Sequence, residues 1–279
     1  MLLPAGRAFA IRVQRRTHMP RQDPPHRAKK SLGQNFLTDP NICRKIVDAL
    51  APSADDYIIE IGPGQGALTE HLMETGARRL RALEMDYDLA DRLAERWPGL
   101  DVVRTDALKF PWDELNGTGP CKIIGNLPYN VGSKLIWDIV SKVETLSRAV
   151  FMVQHEVALR LTADPGTKAY GGLTAWVKNY CDTRYLFKVL PTVFRPRPKV
   201  DSAVVRFDPF PLTNRPVDQE RLSGLVKLLF QQRRKQISTI LRKRMKPEIE
   251  EWFQKEGVSP SLRPENLTPT QFRSLSLIY

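Results

Sequence analysis

The sequence predicts a doubly wound α/β domain followed by a small all-helical one. Three observations predict it. Apolar strand-like runs alternate with helical periodicity from residue 40 to residue 207. A glycine-rich turn follows the first of those runs. After Pro209 the pattern changes, and residues 217–279 show helical periodicity alone.

Residues 1–28 are rich in Arg and Pro and read as a disordered basic extension. Met19 is an alternative start, and an Arg-rich, acid-poor leader also suits an organelle transit peptide. Asp39-Pro40 reads as an N-cap with proline at the first helical position, and Ile42, Ile46, Val47 and Leu50 share one face of the helix. Residues 57–61 form a short apolar run, read as a buried strand. Leu68, Leu72 and Met73 mark the next helix. Further strands are expected at 79–84, 101–104, 122–125 and 148–154, with helices at 87–97 and 131–143. Two later apolar segments, 184–190 and 202–207, complete a seven-stranded sheet. A Pro-containing linker at 209–216 then leads to helices carrying Leu222, Leu225, Val226, Leu229, Ile237, Ile240 and Leu241. The expected divisions are 1–28 (extension), 29–209 (catalytic α/β domain) and 210–279 (helical domain).

The net charge is +12, unevenly spread. Residues 1–30 carry +7 and residues 221–246 carry +9 with no acid, which leaves −4 for the rest. Basic blocks flanking a slightly acidic body attract phosphate backbones through counterion release, so nucleic acid is the expected partner. Cys43, Cys121 and Cys181 are far apart and the four histidines are scattered, so no metal site is expected. No apolar run approaches the roughly 20 residues that cross a bilayer, so no membrane partner is expected.

The loop Glu60-Ile61-Gly62-Pro63-Gly64-Gln65-Gly66 follows a strand and opens a helix. Its glycines allow a tight turn and close approach to a ligand, and the helix start offers free N–H groups. Both a dinucleotide and S-adenosylmethionine fit that description. Ala67 stands where the dinucleotide fingerprint has its last glycine, a variant that fingerprint accepts. Two acids add to the argument. Glu84 ends the second strand, where a carboxylate can accept both ribose hydroxyls, and Asp106 follows the third, where one can accept from an adenine amino group.

Asn126-Leu127-Pro128-Tyr129 follows the fourth strand, on the side where open α/β sheets bind ligands. These residue types suit methylation of an exocyclic adenine amine, a poor nucleophile whose lone pair is delocalised into the ring. The side-chain oxygen of Asn126 and the backbone carbonyl of Leu127 or Pro128 can accept its two N–H groups, and Tyr129 can stack on the extruded base. No strong general base is needed, because the proton becomes acidic once the methyl has arrived; catalysis is then mostly alignment.

With these residues in view, the sequence resembles the KsgA-type (RsmA) ribosomal RNA adenine dimethyltransferases, which share a core with the Erm methyltransferases. The resemblance covers residues 29–279. It rests on Gly33 to Leu37, the 60–66 loop, Glu84, Asp106, Asn126 to Tyr129, Gln154 to Val157, Lys168 to Gly171, Phe194 to Ala203 and Gln232 to Lys235. It implies a class I, Rossmann-like methyltransferase sheet with one antiparallel strand. S-adenosylmethionine is the implied cofactor, held by Gln34, Asn35, Leu37, Gly62, Gly64, Glu84, Asp106 and Asn126. Within that set Asn35 and Leu37 line the methionine end, Glu84 holds the ribose and Asp106 the adenine. Tyr129 and Phe194 would sandwich the target base, joining Asn126, Leu127 and Pro128 as the catalytic set. The implied substrate is a pair of adjacent adenines in the 3′-terminal hairpin of small-subunit (16S) rRNA, each dimethylated on N6, with a role in small-subunit assembly.

Arg233, Arg234 and Lys235 lie in the acid-free block and are expected to grip phosphates, and Lys168 to border the RNA path on a flexible stretch. A cytoplasmic monomer is expected, or an organellar protein if residues 1–28 are a transit peptide. Three rivals remain: an Erm-like enzyme acting on large-subunit rRNA, an NAD-dependent oxidoreductase, and an assembly or transcription factor without activity. The oxidoreductase gives no role to Asn126 through Tyr129.

Overall fold

A computed structural model describes Ala28, Lys29 and residues 33–279. The expectation of a disordered extension therefore falls, apart from Ala28, outside the described residues. A two-residue strand, β1 (Phe36–Leu37), precedes helix α1 (Pro40–Leu50). The helix starts where the sequence places it: the Asp39 carboxylate accepts from the backbone N–H groups of Asn41 (2.8 Å) and Ile42 (3.2 Å), and Pro40 needs no donor partner. Its face of Cys43, Ile46, Val47 and Leu50 is buried.

The sheet elements follow as β2 (Tyr57–Ile61), α2 (Ala67–Glu74), β3 (Arg79–Glu84), α3 (Tyr87–Arg96), β4 (Asp101–Arg104), β5 (Cys121–Asn126), α4 (Gly132–Lys142) and β6 (Leu146–Gln154). Two short helices, α5 (His155–Leu161) and α6 (Gly172–Val177), lead to β7 (Cys181–Val189), β8 (Phe194–Arg195) and β9 (Ser202–Pro209). The main sheet has seven strands in the order β4-β3-β2-β5-β6-β9-β7. Only β9 runs against its neighbours, pairing antiparallel with both β6 and β7.

Each central strand is buried on both faces, as a parallel sheet covered by helices requires. Ile58, Ile124, Val150, Met152 and Val204 join one apolar cluster with α1 and α2. Their alternates Ile59, Ile61, Ile123, Phe151, Val153 and Val205 join the other, with α4. The second cluster continues without a break into the C-terminal helices α7 (Gln219–Gln231), α8 (Ile237–Leu241), α9 (Pro247–Lys255) and α10 (Pro269–Ile278). The join is aromatic: the Trp137 and Trp176 rings stack at 4.2 Å, and Lys227 of α7 lies over Trp137.

Two features went unseen in the sequence. One is the α5–α6 segment. The other is a separate antiparallel ladder between β1 and β8, in which Leu37 pairs with Phe194 and Phe36 with Arg195.

Candidate functional site

Strand order reverses between β2 and β5, so their carboxyl ends flank a crevice. The register sets Ile61 beside Gly125, which puts the 62–66 loop and Asn126 on the two lips. Gly125 has to be glycine: a Cβ there would lie 2.7 Å from the Ile61 carbonyl oxygen. Gly62, Gly64 and Gly66 all have positive φ (63°, 60° and 86°), which lets the loop turn before α2. Space is open above Gly62, whereas a Cβ on Gly66 would enter the Trp97 ring at 2.5 Å.

The crevice is a cavity of about 240 Å³. Of the residues named from the sequence, Gln34, Asn35, Leu37, Gly62, Gly64, Glu84, Asp106 and Asn126 through Tyr129 all line it. Glu84 is 5% exposed and accepts from the Gly64 N–H (3.0 Å) and the Asp86 N–H (2.8 Å). Burial raises its pKa above the ordinary carboxylate range, and the two N–H donors oppose that shift. The Asp106 carboxylate accepts from the Leu108 N–H at 3.0 Å, which fixes its direction.

These residues fit S-adenosylmethionine. A buried carboxylate at the end of β3 offers acceptors to a ribose, a second acid follows β4, and the glycine loop leaves room for close approach. When bound, the cofactor supplies an electrophilic methyl group on sulfur. The chain's own contribution is alignment. Asn126 Nδ2 donates to the backbone carbonyl of Asn35 at 3.0 Å, so Oδ1 is the atom left to accept from an incoming amine. Tyr129 is half-buried, and its hydroxyl shares a 2.7 Å hydrogen bond with Ser202, a fully buried side chain at the start of β9.

Three sequence expectations need correction. Phe194 is 3% exposed, lies outside the cavity lining and packs in the cluster under α1, so its ring does not face Tyr129 across an open slot. Gln34 lines the cavity as expected, and its amide also donates to Asp86 (3.0 Å), which holds Lys29 Nζ (2.7 Å), so it ties the segment before β1 to the Glu84 turn. Arg233 is not free for phosphate, since it pairs with Glu265 (2.8 Å) and donates to the Lys168 carbonyl (2.7 Å). That bond, with the Gly166 N–H to Glu265 carbonyl bond (2.7 Å) and the fully buried Tyr170, pins the 168–172 stretch expected to be flexible. Arg234, Lys235 and the Lys168 side chain are exposed.

The sequence reading missed Asp86, Lys29 and Ser202. Asp86 was legible as an N-cap two residues past Glu84, since it accepts from the Asp88 N–H at 3.2 Å. Ser202 carried no local signal, because its partner is 73 residues away.

One buried acid remains. Glu60 of β2 is 1% exposed and accepts from the Thr69 hydroxyl at 2.6 Å. Burial pushes its pKa up to about 8, with the nearby Glu84 adding to the rise. Among the described residues no group of His, Cys, Asp or Glu is placed to hold a metal ion.

A strand order of this kind, a glycine loop after β2, acids after β3 and β4, and Asn-Leu-Pro-Tyr after β5 define an S-adenosylmethionine-dependent methyltransferase of the class I fold. Residues 25–279 match the family described as Ribosomal RNA adenine dimethylase, and the chain belongs to that family. It is an enzyme family that dimethylates adenine in ribosomal RNA.

The chain is 54% identical over 250 residues to Ribosomal RNA small subunit methyltransferase A of Maridesulfovibrio salexigens, covering 90% of this chain and 95% of the relative. It is 48% identical over 258 residues to the protein of that name from Nitratidesulfovibrio vulgaris strain DP4, covering 90% and 96%. Among solved structures, a dimethyladenosine transferase from Plasmodium falciparum superposes with a TM-score of 0.71 at 25% identity, over 87% of this chain and 95% of that one. The 23S rRNA methyltransferase ErmE follows at 0.67 and 27%, over 87% and 98%.

Proposed function

We propose that the chain dimethylates N6 of two adjacent adenines in the 3′-terminal hairpin of small-subunit (16S) rRNA, and that it acts during assembly of the subunit. The Asn126–Asn35 hydrogen bond carries the chemical part of this reading. By engaging the amide nitrogen it presents Oδ1 to the N6 proton, and a backbone carbonyl of Leu127 or Pro128 takes the second proton. Two acceptors on one amino group turn its lone pair out of conjugation and toward the methyl donor. Tyr129, braced by Ser202, supplies the face on which the extruded base stacks.

The choice of small-subunit over large-subunit RNA is supported by the names and high coverage of the relatives at 48–54% identity, against 27% for ErmE. The helical part from residue 210 onward, with its acid-free stretch 221–246, is assigned to RNA binding. Here Arg234 and Lys235 rather than Arg233 reach phosphate, with Lys168 beside them. Phe194 joins the base-binding set only if the β8 segment shifts on RNA binding. The enzyme is taken to act as a cytoplasmic monomer.

Mass spectrometry of nucleosides from unmodified small subunits, incubated with the protein and S-adenosylmethionine, tests the reading. N6,N6-dimethyladenosine mapped to the 3′-terminal hairpin is the expected product. Product on large-subunit rRNA alone would overturn the substrate assignment.

A further inference from the structure

Between Asp182 and Asp201 the chain has five Lys/Arg and no acid. Two of the five are satisfied by the acids that bound the stretch: Arg184 pairs with Asp182 (3.1 Å) and Lys188 with Asp201 (2.6 Å). The other three, Arg195, Arg197 and Lys199, are exposed, and among the described residues no carboxylate pairs with them. They alternate with Pro196 and Pro198.

This arrangement has consequences. Alternate residues of any chain lie at most about 7 Å apart, so three like charges crowd one short segment and repel each other until an anion arrives. The prolines restrict φ and remove two N–H donors, so the loop keeps its course with little help from neighbouring backbone. Both ends are fixed to the site. Arg195 pairs across the β1–β8 ladder with Phe36, which lines the cavity. Ser202, just past the other end, holds the Tyr129 hydroxyl. The segment therefore spans from one wall of the reaction site to the brace of the other.

We propose that Arg195, Arg197 and Lys199 bind the phosphates of the RNA strand that flanks the target adenine. The chain then grips RNA beside the reacting centre with residues outside the 221–246 block. The proposal rests on the RNA-modifying function above. A polyanion suits a close cluster of cations, and phosphate contacts of this kind fix register without reading sequence. Gripping the backbone on either side of one nucleotide also favours turning that nucleotide out of its stack.

The test is the salt dependence of binding to a small-subunit 3′-hairpin oligonucleotide, for the wild type and for Arg195→Gln/Arg197→Gln/Lys199→Gln. The slope of log affinity against log salt should shrink by about 2 to 3 in the triple variant, since each contact contributes roughly 0.7 to 0.9. The KM for RNA should rise, while S-adenosylmethionine affinity and the melting temperature stay at wild-type values. Arg195→Lys/Arg197→Lys should keep the slope, because charge alone is required. A triple variant with wild-type slope and affinity overturns the proposal, and so does a slope lost only together with cofactor binding. Wild-type methylation of the same RNA reports separately on the functional reading.

Discussion

The amide of Asn126 is held by the backbone carbonyl of Asn35 at 3.0 Å, so a residue from the segment before the sheet orients the residue proposed to meet the substrate. A carbonyl oxygen can only accept, so the interaction settles which end of the amide faces outward. Asn126→Ala should lower kcat by about 10²-fold or more, the scale at which one preorganised hydrogen-bonding group acts in a transition state. RNA affinity should change little. Single-turnover methylation alongside filter binding checks both, and retained turnover would refute the proposed alignment.

The Tyr129–Ser202 bond is the second alignment device in the proposed mechanism. Ser202→Ala leaves the half-buried Tyr129 hydroxyl without its partner and should cost about 1 kcal/mol of stability. In activity the loss should fall on kcat more than on KM for RNA, because the ring remains but its angle loosens. Tyr129→Phe combined with Ser202→Ala should add little to either single change, and a double-mutant cycle measures that coupling.

Glu60 gives the fold a pH signature. Its folded pKa of about 8 lies above the ordinary 4.5, so between those values the folded state binds more protons than the unfolded one. Stability contributed by the neutral carboxyl is therefore fully present below about pH 4.5 and lost as pH rises toward 8. Glu60→Gln keeps an acceptor for the Thr69 hydroxyl and removes the titration. Urea unfolding across pH 5–8 should show a downward slope in the wild type that flattens in the variant.

Arg233 and its two neighbours should separate by readout. Arg233→Gln breaks the Glu265 pair and the bond to the Lys168 carbonyl, both partly exposed, and should cost about 1 kcal/mol of stability with little effect on RNA binding. Arg234→Gln/Lys235→Gln should leave stability alone and shrink the salt slope of RNA binding by about 1 to 2. Thermal melts and salt titrations of the same two proteins distinguish the roles.

The parts of this molecule that were legible in sequence are those written in short-range patterns. The Asp39-Pro40 cap, the buried runs of β2 and β5, and the glycine loop each announce themselves within a few residues, and the cavity gathers the acids and the Asn-Leu-Pro-Tyr motif as expected. The illegible parts are pairings between distant residues. A two-residue strand such as β1 has no periodicity to read. The basic character of Arg233 was visible, but Glu265, its partner 32 residues on, was not. Phe194 looked like a base-stacking residue from its motif, while its burial depends on Leu37 and α1, far behind it in the chain.

The β1–β8 ladder also bears on how the protein is made. Thr38 donates its N–H and its hydroxyl to the Val193 carbonyl, 155 residues later, and β9 slots between strands laid down before it. Contacts of such sequence separation form late and slowly. A nascent chain that stops before residue 194 has the glycine loop, Glu84 and Asp106, yet lacks both β8, which pairs with Phe36, and the serine that braces Tyr129. Competence for methyl transfer thus waits for the last strands of the sheet, and a truncation before β8 should yield a chain that lacks both the ladder beside Phe36 and the brace on Tyr129.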